Sequence, residues 1–217
     1  MKKDYYYQLG IETLNEIKKS GKKPTLLLHS CCAPCNCYPM LVLSEYFEMT
    51  LYFNNNNIYP REEYLIRLNE LINYTNDFNK QHQTNIDIIV TEYDNETYNK
   101  HLEPYKDEPE LANRCWLCYR LRMEEAYQYA SLHNFDYFTT VMTISRQKNS
   151  IKLNEIGMEL ALRYPNVKYF VSDLKKHGGS DMSSQLTKEL DLYRQQYCGC
   201  IYSYQGYQMK LARKQGK

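Results

Sequence analysis

Four cysteine thiols stand in two closely spaced pairs of the kind that binds metal. The first pair is Cys31-Cys32, inside the segment 29–37, and the second is Cys115-Trp-Leu-Cys118. Two thiolates at Cys-x-x-Cys spacing reach a single metal ion or cluster. Adjacent side chains of a strand point to opposite faces, so Cys31 and Cys32 converge only where the chain turns, and we predict that turn at Ala33-Pro34.

Four sulfur ligands suit either tetrahedral zinc or a four-iron cluster. Structural zinc usually takes two Cys-x(2–4)-Cys knuckles, so a directly vicinal pair favours iron–sulfur while zinc stays open. A lone Cys-x-x-Cys would also suit a thioredoxin-like redox pair, but Cys31 and Cys32 would then have no role. Cysteines that pack as small hydrophobes explain isolated residues better than two tight pairs.

Cys198-Gly-Cys200 is a third cysteine motif. Glycine makes the tight backbone of a disulfide across one residue accessible, and we expect so small a ring to be strained and easily reduced. The pair therefore suits a relay that moves two electrons; two free exposed thiols are the alternative. Cys35 is a candidate ligand of the same centre as Cys31 or of a second metal beside it, and Cys37 has no predicted role.

A histidine and four cations near these motifs are the remaining candidate site residues. His29 has an ordinary pKa near neutrality and is a candidate proton donor or partner of a cluster sulfur, although a histidine that ends a buried strand is more often a core residue. The candidate contacts for nucleic-acid phosphate are Arg120, Arg122, Lys175 and Lys176. Solvated surface is the alternative for each cation.

We expect a reducing, cytoplasmic setting, because no targeting segment is visible. The formal net charge is +1, which argues neither for nor against a nucleic-acid partner. The longest apolar run, 26–28, is far short of the ~20 residues that span a bilayer, and no signal sequence is visible. We therefore expect no membrane partner, and we expect the eight cysteines to serve metal binding or redox chemistry rather than structural disulfides.

Short apolar runs alternate with helical stretches, and these elements must position the motifs. The predicted strands are 25–29, 49–53, 86–90, 137–142 and 167–171. The predicted helices are 4–20, 39–47, 60–82, 115–133 and 151–164, with 92–113 polar and irregular and 173–197 mostly helical. This alternation predicts one α/β domain with a mostly parallel sheet flanked by helices. Ligands bind beyond the carboxyl ends of such strands, where Cys31 follows the first strand.

Three segments together resemble the epoxyqueuosine reductase QueH family. They are His29–Cys35, Cys115–Glu124 and Tyr193–Cys200. Intermediate segments that also match are Phe53–Leu65, Asp107–Glu110 and Phe138–Asn149. The resemblance runs from about residue 22 to about residue 204, with the motifs in the same order.

The resemblance implies reduction of the epoxide of epoxyqueuosine to queuosine at the wobble position of tRNA, with electrons from an unidentified donor. It implies a [4Fe-4S] cluster on Cys31, Cys32, Cys115 and Cys118. It also implies a second iron beside the cluster, for which Cys35 is a candidate ligand, and a redox-active disulfide between Cys198 and Cys200. The implied route uses no cobalamin.

The fold that the resemblance implies is the Rossmann-like sheet of the adenine-nucleotide hydrolase superfamily, with a helical C-terminal part. We expect one catalytic domain over 1–217, made of an N-terminal helix 4–20, a core 22–204 and a basic tail 205–217. The usual Gly-rich loop is replaced by Ser30-Cys-Cys-Ala-Pro34, so nucleotide hydrolysis is not expected. Two alternatives stay open: a zinc-stabilised nucleic-acid-binding module without catalysis, and a thiol–disulfide oxidoreductase that uses Cys198 and Cys200 alone.

Overall fold

The structure of the protein, a computed structural model, describes residues 4–215. Within that range the strands are β1 (Thr25–His29), β2 (Glu48–Phe53), β3 (Asp87–Val90), β4 (Tyr137–Thr140) and β5 (Lys168–Tyr169). The α-helices of the same range are α1 (Tyr5–Ser20), α2 (Ala33–Leu43), α3 (Arg61–His82), α4 (Asn95–Leu102), α5 (Asn113–Leu132), α6 (Ser150–Arg163), α7 (Gly179–Glu189) and α8 (Ile201–Gln215).

The five strands form one parallel sheet in the order β3-β2-β1-β4-β5. β1 lies at its centre, and Leu26, Leu27 and Leu28 are fully buried. Leu26 and Leu28 pack with residues of α1, α2 and α3, whereas Leu27 packs on the opposite face with α5 and α6. Helices on both faces explain why β1 is a continuous apolar run. The predicted α/β class with a parallel sheet is confirmed.

The strand order reverses between β1 and β4, and this reversal sets where a ligand site is expected. β1 leads outward to β2 and β3, whereas β4 leads to β5 on the other side. The crevice beyond the carboxyl ends of strands at such a switch point is the usual ligand site of open α/β sheets. Cys31 and Cys32 follow β1 after one intervening residue, Ser30, so the first cysteine motif lies at this crevice.

The helix that follows the first motif begins six residues earlier than predicted. We predicted a turn at Ala33-Pro34 and a helix from Pro39, but α2 starts at Ala33 and carries Pro39 inside it. Pro34 occupies the first turn, where a missing N–H costs no helical hydrogen bond and the fixed φ suits the helix. The convergence of the cysteines therefore comes from a strand-to-helix junction rather than from a turn.

The C-terminal third differs most from the prediction. The predicted strand 137–142 ends at Thr140 and continues as a 3₁₀ turn over Val141–Ile144. The predicted helix 173–197 is helical only in α7. The segment predicted as a basic tail is mostly helical, because α8 covers it up to Gln215, and the helical C-terminal part that the resemblance implies is confirmed. Residues 216 and 217 of that tail lie outside the described residues. Within residues 4–215, no helix is both long enough and apolar enough to cross a membrane.

Candidate metal and redox site

The junction between β1 and α2 brings three thiols together. Cys32, the residue before α2, has extended backbone, and Cys35 is the third residue of the helix. The Sγ atoms of all three lie within 4.8 Å of one another, with 3.9 Å between those of Cys31 and Cys32. The buried side chain of Asn36 fixes the junction, because it accepts from Ser30 Oγ at 2.8 Å and donates to the Cys32 carbonyl at 2.8 Å.

The three thiols differ in how readily they lose a proton. Hydrogen bonds from Cys32 and Cys35 lower the pKa of Cys31 well below its usual value. The same contact with Cys31 raises the pKa of Cys32 to about 12 and the pKa of Cys35 well above its usual value. One thiolate is thus stabilised by two S–H donors, and gathering three thiolates here requires a cation.

Cys37 does not belong to this group although it lies two residues beyond Cys35. Two residues rotate a helical side chain by roughly 200°, so the two thiols point to opposite sides of α2. The Cys37 thiol is fully buried against α7 and donates to the Pro34 carbonyl at 3.2 Å and the Ser183 carbonyl at 3.6 Å. It is a packed core residue.

The second cysteine pair lies in the first two turns of α5. Cys115 Sγ accepts a hydrogen bond from the Leu111 N–H at 3.3 Å, and Tyr98 Oη donates to the Cys118 carbonyl at 3.1 Å. Burial raises the pKa of both thiols. Neither sulfur lies in the 4.8 Å group, which instead contains Cys35. The four-ligand set implied by the resemblance is therefore not gathered within that distance.

Arg122 is buried, so our prediction that it contacts nucleic-acid phosphate at the surface is wrong. It is 3% exposed and donates to Asn55 Oδ1 at 2.6 Å and Met142 Sδ at 3.6 Å. Burial opposes its charge, but the neighbouring thiols of Cys118 and Cys31 outweigh burial and raise the pKa of Arg122. The guanidinium therefore supplies buried positive charge to both cysteine pairs.

The other three predicted phosphate contacts lie nearer the surface and have protein partners. Arg120 pairs with Glu159 across α5 and α6 at 3.0 Å. Lys175 Nζ donates to the Lys148 carbonyl at 2.8 Å, and Lys176 pairs with Asp4 at 3.2 Å. Their contact with phosphate stays a prediction.

His29 is a fully buried, neutral imidazole at the end of β1. Its Nδ1 lies 2.7 Å from Thr140 Oγ1, on the neighbouring strand β4. Its Nε2 is buried and has no hydrogen-bond partner among the described residues. Burial, reinforced by the charge of Arg122, lowers the pKa of His29 well below 6.5. Its predicted role at a cluster sulfur stays a prediction.

A cavity of about 310 Å³ lies beside the cysteine motifs. Its lining includes Cys35, Cys115, Cys198 and Cys200, so each of the three motif segments contributes a residue. Both members of the third motif are free thiols; Cys198 is exposed, and Cys200 accepts from the Ser203 N–H at 3.5 Å. The volume falls at the lower end of the range for small-molecule pockets.

Sequence reasoning missed three further residues of this site. Lys148 lines the cavity, and the thiols of Cys198 and Cys31 raise its pKa despite burial. Gln195 donates to Cys32 Sγ at 3.4 Å, and Arg67 donates to the Cys198 carbonyl at 3.0 Å. The available signal for Arg67 was a charged residue on the apolar face of α3, which also carries Tyr64 and Leu71. Lys148 and Gln195 lie in segments that carry the family resemblance, but no pattern in those segments distinguishes them from their neighbours.

The donor set fits a thiolate-bound metal. Cys31, Cys32 and Cys35 offer three soft sulfur ligands within 4.8 Å, two of them buried. Soft thiolates select zinc, copper(I) or iron–sulfur centres over hard cations. The buried cation of Arg122 offsets part of the thiolate charge.

Comparison with known families matches this arrangement. The family model described as epoxyqueuosine reductase QueH matches residues 26–206, which include the cysteine triad, the α5 pair and the Cys-Gly-Cys segment. The chain belongs to the QueH family. The QueH match begins within β1 and ends within α8, so α1 lies outside it.

Similar proteins that carry the name epoxyqueuosine reductase QueH come from several bacteria. The chain is 36% identical over 192 residues to the one from Staphylococcus epidermidis, covering 88% of this chain and 80% of that relative. It is 34% identical over 202 residues to that of Streptococcus pyogenes serotype M1, covering 92% and 79%. It is 39% identical over 179 residues to that of Haemophilus influenzae, covering 82% and 71%.

Proposed function

We propose that this chain is an epoxyqueuosine reductase that acts on tRNA. The observation that carries the proposal is the meeting of three cysteine motifs at one cavity, at the switch point of the sheet. Membership of the QueH family supplies the substrate. No other arrangement of the described residues combines a thiol triad with a separate dithiol.

The proposed cofactor is a [4Fe-4S] cluster held by Cys31, Cys32, Cys115 and Cys118, with Cys35 as a ligand of an adjacent iron. The thiol triad supports a metal here, and Arg122 supports the joint use of both pairs, because thiols of both raise its pKa. When bound, such a centre supplies single electrons and Lewis acidity. We propose that the reaction needs no cobalamin.

The dithiol of Cys198 and Cys200 balances the proposed reaction. Removing an epoxide oxygen to leave an alkene breaks two C–O bonds, consumes two electrons and two protons, and releases water. Closing the Cys198–Cys200 disulfide releases two electrons and two protons. An external reductant, which we propose to be a dithiol, then restores the thiols by thiol–disulfide exchange.

The cavity residues have distinct proposed tasks in this reaction. The cavity holds the modified nucleoside, and the charged Lys148 lines it together with Cys198. The buried Arg122 offsets thiolate charge at the site. His29, whose buried Nε2 has no hydrogen-bond partner among the described residues, is the proposed partner of a cluster sulfur or proton donor. Arg120, Lys175 and Lys176 are the proposed contacts with tRNA phosphate.

The test is an anaerobic assay of the chain reconstituted with iron and sulfide, on tRNA that carries epoxyqueuosine, with nucleoside mass spectrometry as the readout. We expect brown protein that forms queuosine, and we expect Cys31→Ala to abolish turnover. Stoichiometric zinc with no iron and no queuosine would favour a zinc-stabilised binding module. Full activity of Cys31→Ala in dithiol exchange, with no epoxide reduction by the unsubstituted chain, would favour a thiol–disulfide oxidoreductase.

A further inference from the structure

A buried ion pair on α3 faces the Cys-Gly-Cys segment. Arg67 Nε donates to Glu63 Oε1 at 2.8 Å, and the two side chains are 3% and 9% exposed. Charged side chains are almost never buried to this degree unless they are paired. The pair lies four residues apart on the face of the helix that packs into the core.

The remaining donors of Arg67 are directed at main-chain carbonyls of the third cysteine motif. Its Nη1 donates to the Cys198 carbonyl at 3.0 Å, and its Nη2 donates to the Tyr197 carbonyl at 3.2 Å. Its guanidinium carbon lies 5.6 Å from the centroid of the Tyr197 ring. The planar fork of arginine suits two neighbouring carbonyls, which the single ammonium of lysine does not reproduce.

Two further contacts fix the same segment from the α3 side. Tyr193 Oη donates to the second Glu63 oxygen, Oε2, at 2.7 Å. The Tyr59 N–H, just before α3, donates to the Gly199 carbonyl at 2.8 Å. The chain from Tyr193 to Gly199 is thus attached to α3 at several points around Arg67.

Close approach of Arg67 accounts for the glycine between the two cysteines. Gly199 has φ +131°, and a Cβ there would lie 3.0 Å from Arg67 Nη1. The attached segment also reaches the thiol triad, because Gln195 Nε2 donates to Cys32 Sγ at 3.4 Å. The segment that Arg67 holds therefore carries the dithiol and also contacts the junction that carries the triad.

We propose that Arg67, braced by Glu63, is a positioning residue that holds the Cys198–Cys200 dithiol at the working distance from the cysteine triad. This inference rests on the proposed function, in which the dithiol supplies electrons. Arg67 does not line the cavity, so it acts through the backbone of residues 197 and 198 rather than on the nucleoside. Loss of Arg67 lets the dithiol move away from the metal site, while the dithiol itself and the metal ligands stay intact.

The experiment compares Arg67→Lys, which keeps the pairing with Glu63, with the control Lys80→Met. Lys80 lies on the same helix but its side chain is 79% exposed. Each full-length protein is reconstituted anaerobically and assayed with dithiothreitol and separately with dithionite, which reduces metal centres without a thiol intermediate. We expect Arg67→Lys to lose about tenfold or more of kcat with dithiothreitol, at unchanged KM for tRNA, and to stay within about twofold with dithionite.

A second readout does not depend on activity. Trypsin cleavage after Arg194 and Lys210 gives a peptide, 195–210, whose only cysteines are Cys198 and Cys200. We expect alkylation of this peptide in the folded protein to be about fivefold faster in Arg67→Lys, because the segment loosens, and unchanged in Lys80→Met.

Equal loss with both reductants, or full activity together with unchanged alkylation, would overturn the positioning role. Failure of the unsubstituted chain with both reductants would overturn the proposed function instead, and the alkylation rate would still decide the role of Arg67. Glu63→Gln is a second variant that keeps the shape of the pair. Under the proposal it also loses kcat with dithiothreitol and keeps it with dithionite.

Discussion

Cys35 and Cys37 have the same chemistry and lie on the same helix, yet the structure gives them opposite surroundings. The Cys35 thiol joins the triad and lines the cavity, whereas the Cys37 thiol is buried against α7. The difference comes from the helical rotation over two residues and from the start of α2 at Ala33. Function at this site is therefore decided residue by residue rather than by cysteine content.

The two cysteines form a matched pair of substitutions. We expect Cys35→Ala to lower the iron content and to reduce turnover by about tenfold or more, since it removes a metal-ligand candidate. We expect Cys37→Ala to keep its iron and turnover while losing about 1 to 2 kcal/mol of unfolding free energy with its buried hydrogen bonds. Metal analysis, assay and denaturant unfolding check both. Equal iron content in the two variants would remove Cys35 from the site.

Glu125 gives a pH-dependent prediction outside the metal site. Burial is the main cause that raises its pKa, and its Oε2 accepts from Asn54 Nδ2 at 3.1 Å. The folded state thus binds a proton more readily than the unfolded state, so stability falls as pH rises from the unfolded pKa through the raised folded pKa. The penalty is fully present above that window.

Glu125→Gln removes this penalty and keeps an acceptor for Asn54. We expect its thermal midpoint to exceed that of the unsubstituted chain at pH 7.5. We expect the difference to shrink near pH 4, where the Glu125 carboxyl of the unsubstituted chain is largely protonated in both the folded and the unfolded state. Glu12→Gln, at an exposed position of α1, is the control and is expected to change neither value. A Glu125→Gln midpoint that is lower at pH 7.5 would contradict the prediction.

Individual site residues were predictable from the sequence to the extent that their spacing was local. The three cysteine motifs were visible because each occupies a few consecutive residues. Arg67 and Gln195 were not, because their partners lie 131 and 163 residues away along the chain. Arg122 was misplaced because a cation after a Cys-x-x-Cys motif gives no indication of which face of α5 is buried.

At the scale of elements, the sequence predicted the sheet better than the C-terminal third. β1 is a buried parallel strand, and its apolar run is unambiguous. β5 is only two residues long at the sheet edge, so the apolar run 167–171 overstated it. α8 has a single buried residue, Ser203, and its tyrosines give no clear helical stripe, so periodicity could not identify it.

Gly199 and Gly206 test the element that carries the dithiol. Gly199 has a positive φ, and an added Cβ would lie 3.0 Å from Arg67 Nη1. We therefore expect Gly199→Ala to lower the unfolding free energy by about 1 to 3 kcal/mol and to slow turnover. Gly206 lies inside α8, and nothing lies within 4 Å of an added Cβ. We therefore expect Gly206→Ala to raise the unfolding free energy by up to about 1 kcal/mol. Denaturant unfolding and the tRNA assay check both variants. A neutral Gly199→Ala would show that the segment is not held as described.

At the scale of the whole molecule, the parallel sheet brings distant motifs to one edge. The triad follows β1, the 3₁₀ turn and Lys148 follow β4, and α3 holds the C-terminal dithiol against them. The topology predicted the triad's place, because ligand sites of such sheets lie beyond the carboxyl ends of strands at the switch point. No comparable rule predicts that residues 195–200 approach this edge of the sheet.

The most direct test of the account is a single turnover without external reductant. The reconstituted chain is reduced, freed of reductant under anaerobic conditions and mixed with tRNA that carries epoxyqueuosine. The account predicts one queuosine per chain, together with one Cys198–Cys200 disulfide detected by mass spectrometry of the peptide 195–210. Formation of queuosine while both thiols stay reduced, or formation of the disulfide without queuosine, would contradict it.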